Sequence, residues 1–155
     1  MRDDAFRCVV DANVALKLFF DQPGSEQADA LFAHLEAAAH TRFFVPDFFY
    51  AECASAFTTY SRQTKYSPKE ARQDLAELLA LALHVMPTSE LAATALDIAL
   101  TYGISGYDAF YVALSHQVNA PLVTADGKLV RALAGKPFRV YELTEFDIPP
   151  LTDSD

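Results

Sequence analysis

The sequence is short of three things. Cysteine occurs only twice in 155 residues. Cys8 and Cys53 sit among apolar neighbours without the company a zinc site requires, so both are expected to be reduced packing residues. Long apolar runs are also missing. The longest stretch free of Asp, Glu, Lys and Arg, Ala109–Ala125, contains His116, Gln117, Asn119 and Pro121 and is not a membrane span. Met1-Arg2-Asp3-Asp4 is charged, unlike the start of a signal peptide. A cytoplasmic protein without membrane association is expected. Positive charge is the third shortage, with 12 Lys and Arg against 21 Asp and Glu and a net charge of −9. Phosphate contacts need Lys and Arg, so a general nucleic-acid-coating role is excluded. An acidic surface still suits a basic protein partner or a concentration of metal cations.

What is present is a core. Apolar residues make up 52% of the chain, enough for one globular domain of this length. Short apolar runs alternate with helical patterns. Strands are expected at Arg7–Val10, Arg42–Val45, His84–Met86, Pro121–Thr124 and Phe138–Leu143. Between them lie expected helices at about Ala12–Phe20, Ser25–Ala39, Asp47–Arg62, Ser67–Leu83, Ser89–Tyr102, 106–119 and Gly127–Ala134. Ser25 and Asp47 are the expected caps of two of these. Ser67-Pro68-Lys69-Glu70 is a strong helix start, with a capping Ser, Pro in the first turn and Glu three residues after the cap. Gly103 is expected to end its helix. The strands are β-branched or aromatic and do not alternate in polarity, the pattern of a parallel sheet covered on both faces. The expected fold is α/β, a single domain over residues 1–148, followed by a loose acidic tail at 149–155. No repeat, linker or low-complexity segment is visible.

Four acids stand out. In open α/β sheets ligands bind beyond the carboxyl ends of the strands. Asp11 directly follows the first strand and Asp126 follows Leu122-Val123-Thr124 after one Ala. Each could simply cap the next helix. Glu52 lies in Phe48–Phe57, a stretch apolar nearly all round and therefore expected to be buried. No Lys or Arg lies within four residues of it on its own helix, so an ion pair would need a partner from elsewhere. Asp108 opens the helix carrying Tyr107, Phe110, Tyr111, Leu114 and Val118, spaced as one apolar face. With Ser105 it also fits a capping box. That helix leads into the Leu122–Thr124 strand, which would put Asp108 on the same sheet edge as Asp11 and Asp126. At ~5 Å and an effective dielectric of ~20, each carboxylate pair repels by about 3 kcal/mol. Such a cluster holds either protons or a cation, and carboxylate oxygens suit magnesium or manganese.

With these pieces in place, the sequence resembles the PIN-domain nucleases, and among them the VapC-type toxins of toxin–antitoxin pairs. The matching segments are VVDANVALK at 9–17, PDFFYAEC at 46–53, SGYDAFYVALS at 105–115 and LVTADGKL at 122–129. The family's four-acid pattern falls on Asp11, Glu52, Asp108 and Asp126, and its small polar residues beside the metal on Asn13 and Thr124. Asn13 departs from a common version that has Ser there; either can hydrogen-bond a carboxylate or a metal-bound water. The resemblance implies a three-layer α/β/α fold with a central parallel sheet, Mg2+ or Mn2+ as cofactor, and endoribonuclease activity. Asp11 and Asp108 would be direct metal ligands, with Glu52 and Asp126 orienting waters or completing the shell. It also implies a groove on the early helices for a basic antitoxin protein, and a homodimer.

For RNA contact, Tyr60–Tyr66 with Lys69 and Arg72 is the one stretch where bases and aromatics interleave. Arg62 and Lys65 are the candidates there, and Lys17 and Lys128 are candidates near the metal. The competing expectation for all four is ordinary solvated charge. Two other functions compete with this one. A receiver-like signalling domain needs adjacent acids after the first strand, whereas Asp3-Asp4 precede it. A PIN-like module that binds RNA or protein without cutting would retain the scaffold; all four acids are nevertheless present.

Overall fold

Arg7–Val10 is buried beyond its first residue and forms β1 at the centre of the sheet. The chain, described over residues 5–151 of a computed structural model, then builds α1 (Ala12–Ala15), α2 (Ser25–Ala37), β2 (Arg42–Pro46), α3 (Phe49–Gln63), α4 (Pro68–Leu79), β3 (His84–Met86), α5 (Ala92–Tyr102), α6 (Gly106–Val118), β4 (Leu122–Thr124), α7 (Gly127–Ala132) and β5 (Val140–Glu142). The charged residues 1–4 and most of the expected acidic tail, 152–155, lie outside the described residues.

The five strands are all parallel and ordered β3-β2-β1-β4-β5. The sheet grows one way from β1 to β2 and β3, and the other way to β4 and β5. The switch point is therefore the gap between the carboxyl ends of β1 and β4. Alternating strand residues feed two separate cores. Cys8, Val10, Phe43, Val45 and Val123 pack with α1–α4. Val9 and Leu122 pack with α5, α6 and α7. The expected three-layer α/β/α architecture is the one formed, and both cysteines are free and buried as expected.

Several local expectations need correction. The first helix ends at Ala15 and tightens into a 3-10 turn at Leu16–Leu18. This brings Phe19 and Phe20 onto α3, with ring centroids 5.5 and 5.8 Å from Phe57, and stacks Phe20 on Tyr60 at 3.9 Å. Ser25 does not cap α2. Its hydroxyl accepts from Gln22 N at 3.0 Å and donates to Phe20 O at 2.9 Å, closing the preceding turn, while Gly24 takes the cap position at φ +95°, a conformation glycine adopts without Cβ strain. Asp47 does not cap α3 either; its carboxylate faces Thr88 N at 3.4 Å, across the end of β3. The fourth helix stops at Leu79, the fifth begins at Ala92 after a 3-10 turn at Thr88–Glu90, and the last strand is only Val140–Glu142.

The Ser67 capping box forms in full, with Glu70 N donating to Ser67 Oγ at 3.0 Å and Ser67 N to Glu70 Oε2 at 2.7 Å. Gly103 ends α5 at φ +68°. The Pro149 carbonyl lies 2.7 Å from His34 Nε2, so the segment expected to be loose is tied at its first residue.

Candidate metal centre

Asp11 leaves β1 at the switch point. Its backbone N–H donates to Val123 O at 3.0 Å, which extends the β1–β4 ladder and stands Asp11 beside Thr124. Asp11 caps α1, is 6% exposed, and accepts from Asn13 N at 3.5 Å and from the Thr124 hydroxyl at 2.9 Å. Thr124 Oγ1 in turn accepts from Asn13 Nδ2 at 3.4 Å and from Asp126 N at 3.1 Å. Asn13 Oδ1 accepts from Ala125 N at 3.0 Å. Asn13 and Thr124 thus clamp the strand ends together and hold Asp11 in one orientation.

The other acids arrive on separate elements. Glu52 sits in the first turn of α3, and its Oε1 accepts from the Tyr111 hydroxyl at 2.6 Å. Asp108 sits in the first turn of α6, whose start is capped by the Ser105 hydroxyl accepting from Asp108 N at 3.1 Å. Asp126 caps α7, with Oδ1 accepting from Lys128 N at 2.9 Å and Leu129 N at 3.4 Å. Asp11 and Asp126 cap their helices with their own carboxylates, whereas α6 is capped by the Ser105 hydroxyl rather than by the carboxylate of Asp108; all three acids stand at the starts of helices, where the dipole favours negative charge.

The charges feel one another. Burial pushes the Asp11 carboxyl up from 3.8 to about 7; the Thr124 hydrogen bond opposes this, the Glu52 charge adds to it, the Asn13 N–H opposes it, and the Asp108 charge adds again. Glu52 is raised by partial burial, held down by Tyr111, and raised by the charge of Asp108. Asp108 is raised by burial, held down by Ser105, and raised by the charge of Asp126. Asp11 at the end of β1, and Glu52 and Asp108 in the first turns of α3 and α6, are thus each raised by a neighbouring acid, with Asp126 at the start of α7 acting on Asp108.

Two sequence readings of this region change. The α3 helix is not buried all round: Phe49, Cys53 and Phe57 are buried, Ala51 and Ser55 are exposed, and Glu52 is half-buried. Its partner is the phenol of Tyr111 on α6. Tyr107 is 65% exposed rather than part of the buried face, with its ring edge-packed on Phe48 at 5.1 Å. The residue the sequence hid was Tyr111. It is 1% exposed and at the sequence level was one more member of the apolar stripe; only the pairing of α3 with α6 shows what its hydroxyl does.

Among the described residues, no three His, Cys, Asp or Glu side chains stand close enough to hold a metal ion as they are placed. One oxygen of Glu52 accepts from Tyr111 and one of Asp126 from the α7 N–H groups, so each acid has its second oxygen uncommitted by these bonds. The donor chemistry nonetheless fits a hard divalent cation. The acids offer only oxygen, and raised proton affinity is the mark of carboxylates that a cation would relieve. Nearby Cys53 remains a thiol, pushed up to about 12 by burial and by the charges of Glu52 and Asp11.

The basic candidates lie in different places. Lys17 Nζ is engaged by Pro23 O at 2.8 Å and Gln22 Oε1 at 3.5 Å. Lys128 is exposed at the start of α7, beside Asp126. Arg62 and Lys65 are exposed at the end of α3 and in the connector after it. Arg62 and Arg72 rim a cavity of about 420 Å³ between α3 and α4, with Phe57, Ala71 and Leu75 in its lining.

An all-parallel sheet between two helical layers, with carboxylates at its switch point, defines the class as an α/β domain. The PIN domain family model matches residues 8–134, and the chain belongs to the PIN domain family. It is 31% identical over 125 residues to Ribonuclease VapC3 of Pyrobaculum aerophilum, covering 79% of this chain and 92% of that protein. Its fold is similar to a toxin–antitoxin complex from Klebsiella pneumoniae, with TM-score 0.60 and 18% identity over 90% of this chain and 99% of that one. It is also similar to VapBC-1 from nontypeable Haemophilus influenzae, with TM-score 0.61 and 16% identity over 90% and 100% of the two chains.

Proposed function

We propose that this chain is a Mg2+- or Mn2+-dependent endoribonuclease and the toxin of a type II toxin–antitoxin pair. The observation that carries the reading is the placement of Asp11, Glu52, Asp108 and Asp126 at the ends of β1 and β4 and the first turns of α3 and α6, where Glu52 and Asp108 both act on the buried Asp11. Membership of the PIN domain family and similarity to a VapC ribonuclease support it.

In this reading Asp11 and Asp108 hold the ion, and Glu52 and Asp126 complete its surroundings. When bound, the ion would supply an activated water and stabilise charge on the phosphate in an in-line displacement. The chain's own residues do the rest. Thr124 and Asn13 fix the Asp11 oxygens, as groups behind metal ligands commonly do. The α7 N-terminus holds Asp126 by two N–H groups. Asp11 is shielded from water, so its charge acts at a lower effective dielectric than in solution. In this reading Lys128, exposed beside Asp126, would meet a phosphate, and the exposed Arg62 and Lys65 would meet the RNA backbone farther along. The partner side of the proposal is a basic antitoxin, which suits a chain of net charge −9, and a homodimer. A cytoplasmic location belongs to the same proposal; among the described residues, no helix is long and apolar enough to cross a membrane.

The test is calorimetric titration of Mn2+ and Mg2+ in two buffers of different ionisation enthalpy, at pH 6 and pH 8. Burial and neighbouring acids raise Asp11 to about 7 and also raise Glu52 and Asp108, so a cation that binds them would displace protons. Binding is expected to be tighter at pH 8 and to release protons, with Mn2+ at least as tight as Mg2+. A protein with no metal binding into the millimolar range, even with RNA present, would sink the proposal.

A further inference from the structure

The acids at the switch point are not held equally. Asp11 is gripped by Thr124 and the Asn13 backbone, and Asp126 by two N–H groups of α7. Glu52, on a longer and more flexible side chain, is gripped by one group, the Tyr111 hydroxyl at 2.6 Å. That hydroxyl is itself oriented. Its oxygen accepts from the backbone N–H of Ala12 at 3.3 Å, so its single proton is directed to Glu52. Ala12 directly follows Asp11, and Tyr111 lies one turn beyond Asp108 on α6. One phenol oxygen therefore joins the three elements that carry Asp11, Glu52 and Asp108. The ring is locked in the core at 1% exposure, with Phe48 edge-packed on it at 5.6 Å.

We propose that Tyr111 is the positioning residue for Glu52. It commits Oε1 as the hydrogen-bonded oxygen and leaves Oε2 as the oxygen presented to a divalent cation or its water. A phenylalanine ring would fill the same volume; the hydroxyl adds two bonds, one accepted from the buried Ala12 N–H and one donated to Glu52, and only the second reaches a carboxylate of the site. The inference rests on the metal-dependent reading above.

The test is Tyr111→Phe, alone and combined with Glu52→Gln, each measured by Mn2+ calorimetry and by thermal melting in EDTA. Phe keeps the ring packing, so the metal-free melting temperature is expected to fall by only a few degrees. Mn2+ affinity is expected to weaken by about 10- to 100-fold, the usual effect of losing a group that orients a ligand. The decisive readout is the cycle: in the Glu52→Gln background, Tyr111→Phe should change affinity by less than about twofold, because the residue it positions is already gone. Equal losses in both backgrounds would mean that Tyr111 acts on the fold as a whole, and would overturn the inference. Unchanged affinity in Tyr111→Phe, with normal binding by the wild type, would overturn it alone. A wild type that binds no Mn2+ would overturn the metal-dependent reading and this inference together. If Tyr111→Phe does not fold, Glu52→Gln and Glu52→Asp take its place. Glu52→Asp shortens the reach to the hydroxyl and should weaken Mn2+ binding as much as Glu52→Gln does; an affinity equal to wild type would overturn the inference.

Discussion

Replacing Asp11 with Asn should stabilise the metal-free protein, and by an amount that depends on pH. The wild-type carboxyl titrates near 7 in the folded chain, against 3.8 for an ordinary one. Below about pH 4 it is protonated whether folded or not, and contributes nothing to the pH dependence. Between about 4 and 7 the unfolded chain releases the proton while the folded chain keeps it, so stability falls as pH rises. Above 7 the loss is complete. An elevation of that size corresponds to about 4 kcal/mol at full ionisation, and sharing of protons with Glu52 and Asp108 reduces it, so about 1–3 kcal/mol is expected. Asn keeps what the fold needs: it caps α1 as well as Asp does, and its Oδ1 can accept from the Thr124 hydroxyl. The assay is urea unfolding and thermal melting in EDTA, wild type against Asp11→Asn, from pH 4 to pH 8. The variant should match the wild type near pH 4 and melt roughly 2–12 °C higher at pH 8, given about 2–4 °C per kcal/mol for a chain of this size. A variant less stable than wild type by the same amount at every pH would refute the reasoning and reduce Asp11 to a structural cap.

Thr124→Val keeps the shape but removes the hydroxyl that donates to Asp11 and accepts from Asn13 and Asp126 N; it should cost about 1–3 kcal/mol in denaturant unfolding and move the Asp11 titration further up. Ser67→Ala, which opens the capping box of α4, should cost about 1 kcal/mol in the same assay and leave metal affinity unchanged. Arg62→Ala with Lys65→Ala should weaken RNA binding and flatten its dependence on salt while leaving Mn2+ affinity alone; an unchanged salt slope in filter binding would return both residues to plain solvation.

How much of this could be read from the chain depends on the range of the interaction. Local signals held. The buried run at Arg7–Val10, the box at Ser67–Glu70 and the stop at Gly103 are decided within a few residues, and each formed. Asp11 and Asp126 were legible because strand ends are legible, and strand ends are where open sheets bind ligands. Ser25 and Asp47 failed as caps because other groups competed for them: the Phe20–Gln22 turn for Ser25, and Thr88, 41 positions away, for Asp47. Tyr107 and Tyr111 share one helical stripe in the sequence, yet one faces solvent and the other is in the core. What separates them is where α3 packs against α6, and periodicity along one helix does not contain that. The partner of Glu52 was hidden for the same reason, since it lies 59 positions away.

The most direct measurement is cleavage of a single-stranded RNA by wild type, Asp11→Asn and Asp108→Asn, each with Mn2+ and each with excess EDTA. The wild type should cut with Mn2+ and stop in EDTA. Both variants should be inactive in either condition while melting, without metal, at or above the wild-type temperature. RNA cut equally well in EDTA, or by a folded Asp11→Asn protein, would contradict the claim that this carboxylate cluster works through a bound divalent cation.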